Sequence, residues 1–282
     1  MNLKLHVDFL SQPSRACLLF CLLNDLPVEV KKVVISRGGT TSPSYKSKNP
    51  LGKVPLLEDE SKNFLLPESG AILTYLAERF NVADHWLPKN PEAHARVLAA
   101  VHWFQNNVRL GAAGLVYQKV LAPRLGLIPN EEIAEHSLRV LHQALRDLAD
   151  VWLAHPVGTK DPVFVSGRTD DVCIADLLIA CELEQLCLLN YERDDVDMKG
   201  ILSDHPVVRD YLRRVARACR GNFPPPPPQP EPNVDENGIK EELPPVVQRD
   251  HYLEVHALLR KSAALNSVAI PANIPPSYVA KL

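Results

Sequence analysis

Aromatic residues are scarce, making up 6% of the 282 positions. That is too few for the base-stacking surfaces that hold single-stranded nucleic acid. Charge of one sign is lacking as well. The formal net charge is −3, so no broad field draws the chain to nucleic acid or to an anionic membrane. No apolar run approaches the roughly 20 residues that cross a bilayer. The chain enters its first strand without the cationic and apolar segments of a cleavable leader. Cysteine is sparse: Cys17, Cys21, Cys173, Cys181, Cys187 and Cys219 form no C-x-x-C pair. Cys17 and Cys21 lie on one helix face and read as small core residues, which fits a reducing compartment. The histidines show no ligand spacing, since His251 and His256 lie five apart and off one helical face, so no metal is expected. A Gly-x-Ser-x-Gly elbow is also missing, which argues against a serine hydrolase. What remains, 46% hydrophobic and 23% charged, suits an ordinary globular protein of one large or two ordinary domains.

The most informative stretch is Ser11-Gln12-Pro13-Ser14-Arg15. Before it, Leu3, Leu5, Val7 and Phe9 alternate with polar residues, the pattern of a half-buried strand. After it, Ala16, Leu19, Phe20 and Leu23 recur at helical spacing, and Pro13 suits a first turn. Ser11 therefore stands at a helix N-terminus, where free backbone N–H groups and the helix dipole favour an anion. Its hydroxyl reads either as an N-cap or as a hydrogen-bond donor to a thiolate or oxyanion.

A second strand is expected over Val28 to Ile35, then a loop at Gly38 to Pro43 in which Thr40 and Thr41 supply polarity. Asn49-Pro50-Leu51-Gly52-Lys53-Val54-Pro55 follows. A cis Val54-Pro55 bond would turn the Val54 main chain outward to pair with an extended peptide, although an isolated X-Pro bond favours trans. Glu68 and Ser69 begin another helix, whose Ile72, Leu73, Leu76 and Phe80 face inward. Ser69 either caps it or holds a carboxylate. Ser11, Val54-Pro55 and Glu68-Ser69 are expected on one edge of a small mixed sheet. Together they offer thiol stabilisation, main-chain pairing and carboxylate capture, which suits a short acidic thiol peptide.

From Asn90 the chain turns helical. One helix is expected to about Val120, broken near Gly111, with Trp103, Asn106 and Arg109 on a shared face. A second runs from Asn130 to about Leu153. Ile174-Ala175-Asp176-Leu177-Leu178 opens a buried helix, with Cys173 a poor cap and Asp171 the expected substitute. A helix over His205 to Arg220 closes the bundle. Phe223 to Pro232 must be extended polyproline, which reads as a tether or a ligand for a proline-binding module. His251 to Leu265 returns to helix, with Leu253, Ala257, Leu258 and Leu265 available to pack. Both cores precede residue 223, so truncation after residue 222 is expected to leave a folded protein.

Taken together, Asp8-Phe9-Leu10-Ser11-Gln12-Pro13-Ser14-Arg15, Asn49 to Pro55, Glu68-Ser69-Gly70-Ala71-Ile72, Asp84-His85-Trp86-Leu87-Pro88 and the Asn90-Pro91 helix start resemble a glutathione transferase, most of all the theta class. The resemblance runs to Glu254-Val255-His256 and thins over 223–250. It implies an α/β thioredoxin-like N-terminal domain (a mixed four-stranded sheet, residues 1–82) and an all-α domain over 90–222. A proline-rich disordered linker follows at 223–249, then a C-terminal helix and tail at 250–282 lying over the active site. The implied activity is conjugation of glutathione to a hydrophobic electrophile, reduction of an organic hydroperoxide, or both. Glutathione is the co-substrate and no cofactor is needed. Ser11 and Arg109 are the implied catalytic residues. Gln12, Thr40, Thr41, Lys53, Val54, Pro55, Glu68, Ser69 and Asn106 are the implied glutathione contacts, with solvated surface the plainer reading of Asn106 and Arg109. The theta pattern commonly has His-Lys where this chain has Thr40-Thr41, which implies weaker glutathione affinity. The alternative is a non-catalytic glutathione- or ligand-binding protein of the same fold. A homodimer is implied. Ala280-Lys281-Leu282 matches the chemistry of a peroxisomal import signal, so the peroxisome and the cytoplasm are the expected compartments.

Overall fold

The computed structural model describes residues 2–154, 161–219 and 251–265. The proline-rich linker and the Ala280-Lys281-Leu282 tail lie outside them.

Strand β1 (Leu3–Val7) buries Leu3, Leu5 and Val7 on one face. His6, on the other face, is buried too, because its ring meets the Glu58 carboxylate at 2.6 Å. Helix α1 (Gln12–Leu23) begins where the sequence predicts, with Ser11 as cap and Pro13 in the first turn. It crosses to β2 (Val28–Lys32), which runs parallel to β1. The ladder ends at Lys32, short of the expected Ile35. There the Asp8 carboxylate takes the Ile35 N–H at 2.8 Å and the Leu10 N–H at 2.9 Å, tying the loop after β2 to the loop before α1. The expected Gly38–Pro43 loop is a 3-10 turn (Gly39–Thr41) running into α2 (Pro43–Lys46). Strands β3 (Leu56–Asp59) and β4 (Phe64–Pro67) complete a sheet of order β2-β1-β3-β4, in which β3 is antiparallel to both neighbours. Helix α3 (Ser69–Arg79) packs beside α1, so the first 80 residues form the mixed-sheet, thioredoxin-like unit that the resemblance implies.

The helical part opens with α4 (Pro91–Asn106), whose Asn90 cap accepts the Ala93 N–H. The expected break near Gly111 comes earlier. Asn107 leaves helical geometry at φ −123°, ψ −85°, and its side-chain amide donates to the Trp103 carbonyl at 2.7 Å. Helix α5 (Val108–Val116) is thus separate, and Arg109 does not share a helix face with Trp103 and Asn106. Gly111 serves packing instead: a Cβ there would sit 2.5 Å from the backbone of Leu141. A π-turn (Tyr117–Leu121) and α6 (Ala122–Arg124) lead to α7 (Glu131–Asp147), which another π-turn extends to Trp152. Then come α8 (Ile174–Glu184), α9 (Tyr191–Asp194), α10 (Met198–Ser203) and α11 (Pro206–Ala218).

Helix α8 is buried along its whole length, packed by α1, α3, α4, α5 and α11. Its cap is Cys173 and does not shift to Asp171. Asp176 takes over the capping work, accepting the Cys173 N–H at 2.8 Å, the Val165 N–H at 3.1 Å and the Tyr211 hydroxyl at 2.7 Å. Burial pushes the Asp176 carboxyl up from its ordinary range despite these donors.

Helix α12 (His251–Leu265) presents only part of the expected face: Leu258 packs against the core, but Ala257 does not. Its buried residues are Tyr252, Val255, His256, Leu259 and Ser262, with Ala257 exposed. Tyr252, Val255 and Leu259 belong to the same continuous core as α1 and α8. The helix packs against α1, and none of its described residues lines the groove described below. A chain cut after residue 222 therefore loses core, contrary to the sequence expectation. Full burial of a large apolar side chain contributes about 1.5–3 kcal/mol. With three such residues gone, denaturant unfolding should show a loss on the order of 5 kcal/mol. A truncated chain as stable as the whole would make α12 an accessory.

Candidate active site

A groove of about 120 Å³ opens between the sheet unit and the helices. Pro13 of α1 forms one wall. Asn49, Leu51, Lys53, Val54 and Pro55 form another, Pro67, Glu68 and Ser69 a third, and Gln105 and Arg109 close it from α4 and α5.

Each wall is fixed by bonds behind it. The Lys53 carbonyl accepts from the Tyr45 hydroxyl at 2.7 Å and from the Asn49 side-chain amide at 2.8 Å. Burial pushes the Tyr45 hydroxyl up to about 12, so it stays a donor. The Val54-Pro55 bond that follows is cis, against the trans form favoured by an isolated bond. Among the described residues, the Val54 N–H and carbonyl find no partner. Glu68 holds φ 69°, ψ 114°, a region non-glycine residues rarely enter. Ser69 is buried in the first turn of α3. Lys53 is exposed and enters no ion pair among the described residues.

Ser11 is half-buried, two residues before Pro13, and its Oγ accepts the Ser14 N–H at 3.4 Å. The cap uses a lone pair, which leaves the hydroxyl proton to be donated. The two sequence readings of Ser11 are therefore compatible, because they use opposite ends of the same group.

Gln12 is held elsewhere. Its side-chain amide donates to Glu182 Oε1 at 3.0 Å, while Arg109 Nη1 donates to Glu182 Oε2 at 2.7 Å. Glu182 itself is fully buried in α8. Burial pushes its carboxyl up to about 7, against the pull of Arg109, Arg15 and Gln12. Arg109 is a third exposed and reaches the groove.

The structure thus brings Lys53, Val54, Pro55, Glu68, Ser69 and Arg109 to one groove, with Ser11 two residues before Pro13, the residue that forms its α1 wall. It leaves five predicted residues off the lining: Ser11, Gln12, Thr40, Thr41 and Asn106. Thr40 is buried, and Thr41 donates its hydroxyl to the Gly38 carbonyl at 3.0 Å. Asn106 is exposed, and its neighbour Gln105 faces the groove. Sequence reasoning passed over Gln105, Asn49 and Glu182 as site residues. Helix phase could not separate Gln105 from Asn106. Glu182 did carry a signal, as one of two carboxylates, with Glu184, inside the largely apolar run Leu177 to Leu189.

The sequence profile for the glutathione S-transferase N-terminal domain matches residues 5–89. Glutathione S-transferase T1 of Arabidopsis thaliana is 37% identical over 224 residues, which is 79% of this chain and 86% of that one. Human glutathione S-transferase T1-1, in its apo form, superposes with a TM-score of 0.72 at 26% identity, covering 99% of this chain and 95% of its own. Human glutathione transferase theta-2, solved in complex with glutathione and an unknown ligand, gives a TM-score of 0.72 at 27% identity, covering 98% and 96%.

Proposed function

This chain belongs to the glutathione S-transferase family and stands with its theta class, and from that premise we propose that it activates glutathione through the Ser11 hydroxyl. The observation that carries the proposal is the Ser11 geometry: an N-cap whose lone pair is used and whose proton is free, two residues before Pro13 of the groove wall. An ordinary cysteine thiol has a pKa of about 8.5. One hydrogen bond to the charged form is worth roughly 1.5–3 kcal/mol, or one to two pKa units. That raises the thiolate from a few per cent to between about a quarter and about three quarters at neutral pH.

The groove suits the rest of the tripeptide. The unpaired Val54 main chain would take the cysteinyl backbone. The α3 N-terminus at Glu68-Ser69 would take a carboxylate, and Lys53 the opposite one. Arg109 would place positive charge beside the sulfur or the leaving group. In conjugation, the thiolate sulfur bonds to the electrophilic carbon, the leaving group departs with the bonding pair, and the thiol proton goes to solvent. In peroxide reduction, the sulfur takes the outer oxygen and the O–O bond breaks to give an alcohol. A second glutathione then yields the disulfide and water.

Calorimetric titration with glutathione, followed by ultraviolet titration of the bound thiol, tests the proposal. Binding with a thiol pKa at least one unit below that of free glutathione is expected. Binding without acidification would instead make the protein a carrier. A panel of alkyl halides, isothiocyanates and organic hydroperoxides then separates conjugation from peroxide reduction.

A further inference from the structure

Glu182 has no part in the scheme above, yet it is a fully buried carboxylate that bonds the residue after Ser11 and the arginine at the groove wall at once. We propose that Glu182 is a positioning residue: its carboxylate clamps Gln12 to Arg109 and sets how much of the Arg109 charge the bound thiol feels.

The clamp joins three elements. Gln12 fixes the first turn of α1, where Ser11 is the cap. Arg109 is the second residue of α5, just after the break at Asn107, so its backbone is not carried by α4. Without an anchor, a side chain there would be free to adopt several rotamers. The bond at 2.7 Å to a carboxylate inside α8 holds one edge of the guanidinium, and its remaining N–H groups are available to the groove.

The carboxylate also has an electrostatic consequence. The charged groups facing it are Arg109 from α5 and Arg15 from α1, with Cys181 and Glu184 beside it on α8. An ionised Glu182 offsets part of the Arg109 charge. A neutral side chain there would leave Arg109 uncompensated, favour the thiolate and lower the thiol pKa. Its folded pKa near 7 puts this balance within the working range. Position and charge thus trade against each other at one residue.

The inference rests on the reading of Ser11 and Arg109 proposed above, so the test separates the two. Ultraviolet titration of glutathione bound to the full chain is compared for wild type, Ser11→Ala, Glu182→Gln, Arg109→Ala and the Glu182→Gln/Arg109→Ala double variant. Ser11→Ala should raise the thiol pKa. Glu182→Gln should lower it by roughly half a unit to one unit, and kcat should fall several-fold because the amide can accept from only one of its two donors. In the double variant the Glu182→Gln shift should vanish. A merely structural role would cost stability and affinity but leave the thiol pKa in place. If Ser11→Ala raises the pKa while Glu182→Gln leaves it unchanged or raises it, the clamp is overturned and the serine reading stands. A wild-type thiol pKa equal to that of free glutathione overturns the serine reading, yet a Glu182→Gln shift lost without Arg109 would still support the clamp. Should Glu182→Gln fail to fold, Gln12→Met serves. Loss of its donor makes the carboxylate easier to protonate, so a smaller shift in the same downward direction is expected, and an upward shift overturns the clamp.

Discussion

Replacing Ser11 with alanine is expected to lower kcat/KM by roughly ten- to a thousand-fold with glutathione affinity nearly unchanged. The hydroxyl donor acts on the sulfur as it gains charge, so its loss is felt in the reactive state more than in binding the peptide. The cap role contributes a second, smaller effect. At 3.4 Å the bond from the Ser14 N–H is long, so its loss should cost about 0.5–1 kcal/mol in stability. The two effects separate cleanly, because a thermal melt reads the cap and the thiol titration reads the donor. Ser14 is the natural control. It is 1% exposed, and among the described residues its hydroxyl finds no partner. Full activity in Ser11→Ala together with an inactive Ser14→Ala would move the role to Ser14.

Arg15→Met should be the most destabilising single change near the site, at about 3–5 kcal/mol. Arg15 is fully buried. Nη1 donates to the carbonyls of Phe9 at 3.0 Å and Leu10 at 3.1 Å, and Nη2 to the Cys181 carbonyl at 3.0 Å and Gln185 Oε1 at 2.8 Å. The guanidinium thus staples the loop before Ser11 to α8. Methionine fills much of the volume but takes the guanidinium donor from the Phe9 and Cys181 carbonyls and from Gln185 Oε1, while the Leu10 carbonyl keeps only the Gln185 amide at 3.2 Å. It also removes the cation that does most to offset burial at Glu184, whose carboxyl is already pushed up to about 7. Denaturant unfolding reads the loss, and a variant within about 1 kcal/mol of wild type would show that the staple is dispensable. Since Phe9 and Leu10 lead directly into Ser11, the folded fraction should lose kcat as well.

Periodicity and caps determined much of this protein. The alternation over Leu3 to Val7, the Ser11-Gln12-Pro13 helix start and the Asn90-Pro91 start are local patterns, and each element begins where those patterns place it. The same is true of Val54, Pro55, Glu68 and Ser69, because loops and helix N-termini expose their backbones by construction. Local pattern failed wherever several chemistries competed for one position. Along α12 Leu258 packs as its aliphatic character suggests, but Tyr252 and His256 are buried too and Ala257 is exposed, since the shape of the surface under the helix chose its rotation. Gly111 looked like a helix break and proved to be a contact, because only the partner Leu141 on α7 shows how closely two backbones approach. Arg109 and Glu182 are 73 positions apart, and no spacing rule links them. Sequence determines which elements form and where their polar ends lie, since those depend on bonds within a few residues. The tertiary structure alone decided which buried charges meet, because desolvation makes an unpaired carboxylate so costly that packing must supply a distant partner.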